Sequence, residues 1–287
     1  MTRPFTRLRK LEQTVIPNYF ADVRTFDVAG DPPADGDPAS RAVAATIDSG
    51  LPVVQPVGDE TSLATVPVFR GGSMVSVVVW STPPRGVGVV EVWQPVTPHA
   101  EVRLADGHYG HLERFHNVSS FVRFERGSGL PGMVWQRGEP VLQDDLPNHP
   151  GFLRAAGASA GDLVTAVGIP VIDDDFRAAV VLISSKLSPM ARGVELWRST
   201  EDGFELSDCA YTDLDSPSRL KIGHRCDLNT GMPAMAAEHG GATTTENPAI
   251  LNAGREAADD LVGSLTQGLA IPTYHGDTLR SVTVLLN

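Results

Sequence analysis

The sequence predicts an α+β protein made of repeated units, each an antiparallel β-sheet with helices packed against it. Three observations carry this. A strand pair containing Glu-x-Trp occurs twice, as "GVVEVWQPVTPHAEVRLADGHYG" (88–110) and "GVELWRSTEDGFELSDCAYTD" (193–213). A glycine-proline corner occurs twice, as "GLPGM" (129–133) and "GMPAM" (231–235). An apolar hairpin with a proline in its first arm occurs three times, with Pro67, Pro170 and Pro272 at matching places. Self-similarity at a fixed period is the mark of a repeat architecture.

Taken in order, each unit begins with two strands of alternating polarity, Glu91 and Trp93 in one copy matching Glu195 and Trp197 in the other. Alternation of apolar and polar residues is the signal of a strand with one wet face. The corner then starts a helix. Gly129 and Gly132 suit a tight entry and Pro131 the first helical turn. The lack of a Gly-Lys-Ser/Thr, and the Met232 and Ala234 that stand in the motif of the last copy, make it a structural corner, not a phosphate loop. On that reading Gly129→Val is costly and Gly132→Ala mild, because Ala234 stands in the same place. "EPVLQDD" (139–145) returns as a short strand, matching "LPVVQ" (51–55) of the first copy and pairing Pro140 with Pro52. "HPGFLRAAGAS" (149–159) reads as a second short helix. The final hairpin, "TAVGIPVI" to "AAVVLIS", has the Val/Ile/Leu content of a central strand pair in a half-buried sheet, with Asp173–Asp175 as its solvated turn.

These motifs, in the order strand–strand–helix–strand–helix–hairpin, resemble the GAF domain, a small ligand-binding sensor fold. The middle copy resembles it best, the last is more degenerate, and the first covers the second half only. The expected boundaries are 1–84, 85–188 and 189–287. The joints "STPPRG" (81–86) and "KLSPMARG" (186–193) are short. Two connectivities follow. Either a partial unit precedes two conventional ones, or the units are circularly permuted and each final strand pairs with the strand after it. The second would cover the apolar edge "MVSVVVW" (74–80) and leave "SVTVLLN" (281–287) to be covered by the N-terminal 30 residues or another subunit.

Composition bounds the function. The 287 residues carry a net charge of −12, which disfavours nucleic acid as a partner. No apolar stretch is long enough to span a bilayer, and no signal peptide is visible, so a cytoplasmic setting is expected. His108, His111 and His116 are read as strand-end and loop residues, and no metal or cofactor is expected. The resemblance implies a pocket bordered by the "PVLQDD" strand and the loop after it, which makes Trp135, Asp144, Asp145 and Phe152 the candidate pocket residues. Trp93 and Trp197 are read as packing residues. The expected function is a non-enzymatic sensory or regulatory protein that binds a small molecule or a protein partner and signals through another chain or as a homodimer. The alternative is a small redox enzyme of the GAF fold, similar to free methionine sulfoxide reductase, using Cys209 or Cys226.

Overall fold

The computed structural model describes residues 22–29, 36–58, 61–82, 86–96, 100–212, 214, 218–256 and 265–287. The basic N-terminal run and Pro83-Pro84-Arg85 of the first joint lie outside these. Three antiparallel sheets follow one another along the chain. The first comprises β1 (Asp22–Asp27), β2 (Val54–Pro56), β3 (Ser62–Arg70) and β4 (Ser73–Ser81), with helix α1 (Pro38–Ser49), in the order β1-β4-β3-β2. The second holds β5 (Gly88–Val96), β6 (Glu101–His108), β7 (Arg123–Glu125), β8 (Val141–Gln143), β9 (Leu163–Ile172) and β10 (Phe176–Ser185), ordered β7-β6-β5-β10-β9-β8. Its helices are α2 (Glu113–Phe121), α3 (Gly129–Arg137) and α4 (Ala155–Ala160). The third repeats that order as β13-β12-β11-β16-β15-β14. Its strands are β11 (Gly193–Thr200), β12 (Gly203–Tyr211), β13 (Arg225–Asp227), β14 (Thr243–Thr245), β15 (Gly268–His275) and β16 (Thr278–Leu286), with α5 (Gly231–His239) and α6 (Pro248–Leu251).

The repeat extends to fine detail. The ladder slips by one residue between Val92 and Trp93 in β5, and between Leu196 and Trp197 in β11. Helices α1, α3 and α5 each end on a left-handed glycine, Gly50, Gly138 and Gly240, whose N–H bonds the carbonyl four residues back. Pro67, Pro170 and Pro272 are buried in β3, β9 and β15. The short edge strands β2, β8 and β14 pair only with 62–64, 166–168 and 268–270. Each proline therefore stands past its edge strand, where a missing N–H costs the ladder least.

The permuted pairing is not the one formed. Strand β10 lies between β5 and β9, and β4 lies between β1 and β3. The apolar edge of β4 is covered by β1, from Asp22↔Ser81 to Asp27↔Ser76, rather than by the following unit.

The sheets are not half-buried, as the alternation suggested. Strands β3, β9 and β15 touch one another. Val66, Val68, Val167, Ile169, Val171, Leu269 and Ile271 turn to one core shared by all three sheets. The other faces are covered by helices: Val77 and Val79 by α1, Val181 and Ile183 by α3, Val282 and Val284 by α5. Burial on both faces is the reason these strands read as nearly unbroken apolar runs.

The corner at Gly129 is a backbone device. Gly129 has φ +59, and Gly231 has φ +80 in the third unit. A Cβ on Gly129 would lie 2.5 Å from the Phe124 ring. The mild outcome expected for Gly132→Ala does not survive the geometry. A Cβ there would collide with the Glu125 carbonyl oxygen, because the 125–128 turn folds over the helix start and Gly127 N–H bonds the Gly132 carbonyl at 2.7 Å.

Candidate functional site

In the second unit, β5 places Glu91 beneath the helices, inside an otherwise apolar face. Its side chain is fully buried, and so nearly is that of Arg154, which the turn before α4 delivers to it. Arg154 Nη1 donates to Glu91 Oε1, and Nη2 to Oε2 at 2.8 Å. Trp93 Nε1 donates to Oε2 at 2.9 Å. Tyr109 and Ser119 hydroxyls donate to Oε1 at 2.9 and 3.0 Å. Five donors thus surround one carboxylate, the condition under which a buried charge is tolerable. The guanidinium lies 4.6 Å from the ring centre of Phe115, 5.3 Å from Phe152, 5.4 Å from Trp93 and 5.9 Å from Phe124. Cation–π attraction supplements the ion pair. Burial, then the Glu91 charge, pushes the Tyr109 phenol far up, so it stays a donor.

The third unit repeats the arrangement with looser coordination. Glu195 accepts from Trp197 Nε1 at 3.1 Å, from the Tyr211 hydroxyl at 2.6 Å and from Arg255 Nη2 at 2.8 Å. Arg255 also ties Ser218 and Leu251 carbonyls at 2.8 and 2.9 Å. In the first sheet the equivalent position is Arg24. It lies opposite Val79, as Glu91 lies opposite Val181 and Glu195 opposite Val284. Arg24 is open to solvent, pairs with Asp22 and Asp37, and borders a shallow cleft of about 170 Å³.

The candidate pocket residues are dispersed by the fold. Phe152 reaches the buried cluster as one wall around Arg154. Trp135 is half-buried on the far side of α3, stacked on Phe176 at 5.7 Å, with Arg126 over its ring. Asp144 is exposed and accepts the Thr165 hydroxyl at 2.6 Å. Asp145 is exposed, with φ 50, and is bonded by Asn148 at 3.0 and 3.1 Å. Sequence reasoning missed Glu91, Tyr109, Ser119 and Arg154, and Glu195, Tyr211 and Arg255. The available signal was an acid recurring two residues before a tryptophan within an apolar strand.

An open cavity lies between the units. A cleft of about 690 Å³ runs between the β2–β3 region of the first sheet and the end of β6 with α2. His108 Nδ1 and Ser62 Oγ bridge its floor at 2.9 Å. His116 stacks on Tyr109 at 4.4 Å, and His111 stands at the rim. Burial lowers the His108 pKa from its ordinary 6.5. A second cleft, of about 550 Å³, is bordered by Asp173–Asp175 and Arg177, where Asp173 and Arg177 pair at 2.5 Å. Among the described residues no group of three His, Cys, Asp or Glu side chains is placed to hold a metal ion.

Cys209 lies opposite Glu195, and Cys226 opposite Phe204, five positions away along β12. At ~3.3 Å per residue that is about 16 Å, far beyond disulfide reach. Burial, then the charges of Asp227 and Glu195, pushes the Cys226 thiol up to about 11. Burial also raises Cys209. Both are therefore held as thiols rather than nucleophilic thiolates.

No protein-family model and no curated protein matches the chain. Among solved structures, a GAF domain from A. aeolicus in an inactive state matches at 20% identity and a TM-score of 0.29, over 36% of this chain and 60% of that one. The free methionine-R-sulfoxide reductase of Neisseria meningitidis, in complex with its substrate, matches at 18% and 0.28, over 36% of this chain and 53% of that one. The chain thus spans little more than half the length of these two. An uncharacterised protein from Mycobacterium tuberculosis matches at 12% and 0.21, over 92% of this chain and 95% of that one.

Proposed function

We propose that the chain is a non-enzymatic regulatory binding protein of GAF-like units. It takes a small molecule in the cleft between its first sheet and its second unit, and passes that state to another chain, as a homodimer or with a different protein. The observation that carries this reading is the contrast between interior and cleft. The space under the helices is filled in both six-stranded units by the protein's own Glu–Arg pair, and of the candidate residues of the pocket that the GAF resemblance implies only Phe152 reaches it. The cleft is open, has the size of small-molecule sites, and is lined by polar groups that converge from two units. The inner wall of the cleft is Tyr109, which is bonded to Glu91, so an occupant would touch the buried cluster directly. The raised thiols speak against the redox alternative at Cys209 or Cys226. No helix of the described residues is long and apolar enough to cross a membrane; a cytoplasmic site of action belongs to the proposal.

Native mass spectrometry of the purified protein tests this. A small molecule should be retained by the wild type and lost from Gly58→Trp. Gly58 borders the cleft, and a Cβ added there meets no described atom within 4 Å, so the fold should hold while the indole crowds the cleft. A ligand retained equally by the plugged variant would refute the cleft as its site. A wild type that retains nothing, and whose melting temperature no small-molecule panel moves, would refute the binding role.

A further inference from the structure

We propose that the outer edge of β1 is a strand-docking site, and that its occupant is residues 10–16 of the same chain, which lie outside the described residues. In the second sheet β5 is flanked by β10 and β6, and in the third β11 is flanked by β16 and β12. The equivalent strand β1 pairs with β4 on one side, and among the described residues no strand pairs with its other side. The Val28 N–H bonds the Val75 carbonyl at 3.0 Å. Bonding alternates along an antiparallel ladder, so Asp22, Arg24 and Phe26 turn their main-chain groups to β4, and Val23, Thr25 and Asp27 turn theirs outward. Such an edge is a template for a further strand.

The complete units specify that strand. With Arg24 at the place of Glu91 and Glu195, Thr25 and Phe26 match Val92 and Trp93 in β5, and Leu196 and Trp197 in β11. Opposite these stand Asp106 and Leu104 in β6, and Asp208 and Leu206 in β12. The flanking strand thus carries an acid opposite the Thr25 place and a leucine opposite the aromatic one. Leu104 and Leu206 pack beneath the helices. Asp106 spans the seam to the preceding unit, where its carboxylate accepts the Val54 N–H of edge strand β2 at 3.3 Å. Lys10-Leu11-Glu12 offers a base, a leucine and an acid in the same chain direction as Arg103-Leu104-Ala105-Asp106, and the bulge of the β5–β6 ladder accounts for the extra Ala105. A hairpin that sets Leu11 opposite Phe26 sets Glu12 opposite Thr25 and Lys10 opposite Asp27, a favourable cross-strand charge pair. It leaves Pro17 to Phe20 as a four-residue connection. Glu12 then faces the seam where β14 touches β1. There Thr244 lies opposite Leu269 as Val54 lies opposite Ala64, three residues before the hairpin proline in both units. The third seam is thus closed as the first is, by an acid set against the next edge strand.

Cysteine pairs in the full chain test the register, in a background of Cys209→Ser with Cys226→Ser. Gln13→Cys with Arg24→Cys fall at opposite, non-hydrogen-bonded places, where Cα atoms lie about 4.5 Å apart, within disulfide reach. Under mild oxidation this pair should close within one chain at least tenfold faster than Glu12→Cys with Arg24→Cys, whose side chains fall on opposite faces of the sheet. Equal rates, or no closure, would overturn the proposal. A disulfide joining two chains would give the edge to a second copy and overturn it as well. Hydrogen exchange gives a second readout. The Val23 and Thr25 amides should be protected in the wild type and exchange at least tenfold faster in Thr14→Pro, which removes the N–H set against Val23, while the amides of β10 keep their protection. Val23 and Thr25 amides that are open in the wild type, or equally protected in Thr14→Pro, would refute the docking of this segment.

Discussion

Arg154→Leu should be among the most damaging single substitutions in the second unit, and the reason can be worked from the cluster. The change removes two of the five donors around Glu91 and leaves Trp93, Tyr109 and Ser119, at 2.9, 2.9 and 3.0 Å. It also removes the countercharge from a carboxylate with no exposed surface. Breaking a buried pair from one side costs about 3–5 kcal/mol, since the remaining charge is uncompensated. Glu91→Gln should cost somewhat less. It strands the guanidinium, yet four aromatic rings within 5.9 Å still offer it their faces. The double variant should cost less than the sum of the two, because both charges leave together. What remains in it is one lost acceptor, because glutamine keeps a single carbonyl oxygen and either Trp93 or Tyr109 then faces its amide NH2, roughly 1–3 kcal/mol per unsatisfied group; the one Ser119 proton can turn to the Phe115 carbonyl at 2.9 Å. Urea unfolding of the four proteins, followed by circular dichroism, gives the cycle. A loss below about 1 kcal/mol for Arg154→Leu, the range of solvent-screened pairs, would mean that water reaches Glu91. The interior would then be an accessible pocket, and the argument that moves the ligand to the cleft would fail.

Gly129→Val should lower stability by roughly 1–3 kcal/mol from its positive φ alone, with the Phe124 contact adding to it. Gly132→Ala should be clearly destabilising in thermal melts; a variant as stable as wild type would show that the 125–128 turn yields. Cys209→Ser with Cys226→Ser should leave the melting temperature within a few degrees, as half-buried thiols contribute on the order of a kcal/mol. In the wild type both thiols should react with a disulfide reagent at pH 8 more slowly than free cysteine, and fast reaction at either would restore the redox reading. The His108 pKa is depressed in the folded state, so the stability it contributes is present above the unfolded value of 6.5 and is lost as pH falls through the folded one. His108→Gln should flatten unfolding free energy against pH in that acid range, and an unchanged profile would exclude this residue.

The repeat was legible because its marks are local. Glu-x-Trp, the Gly-Leu/Met-Pro corner and the hairpin proline each occupy a few adjacent residues and recur. The packing of the sheets was not. Alternation discloses which face of a strand is wet, but β9 and β10 bury both faces, and the periodic signal that would assign a face to Ile169 or Val180 disappears. The buried clusters were half legible. Glu91 and Glu195 could be seen as acids in apolar strands, whereas Arg154 and Arg255 lie 63 and 60 residues away in surface-like segments. Nothing near Arg154 in sequence marks it as buried; the fold alone brings it under α2 and α4. Gly132 shows the same limit at shorter range, since its neighbour Glu125 closes over it only after the turn forms.

The ladder position held by Arg24, Glu91 and Glu195 shows how the repeat accommodates an incomplete unit. In the second and third units a loop and short helix stand between the edge strand and the hairpin, and an arginine from that region reaches the acid. The first sheet passes from β2 to β3 through residues 57–61, which leaves no room for such a helix. A glutamate at position 24 would have no arginine from that side, and it would face Asp22 and Asp37. An arginine there instead meets both acids at 3.3 and 3.4 Å, with its head in water. The charge at this position is thus the inverse of whatever the rest of its unit can deliver to it. Where the unit is complete the pair is sealed inside; where it is truncated the pair is solvated. The first unit therefore has no closed interior to fill, and what it contributes is a wall: Ser62 and its neighbours against His108, the floor of the cleft proposed as the binding site.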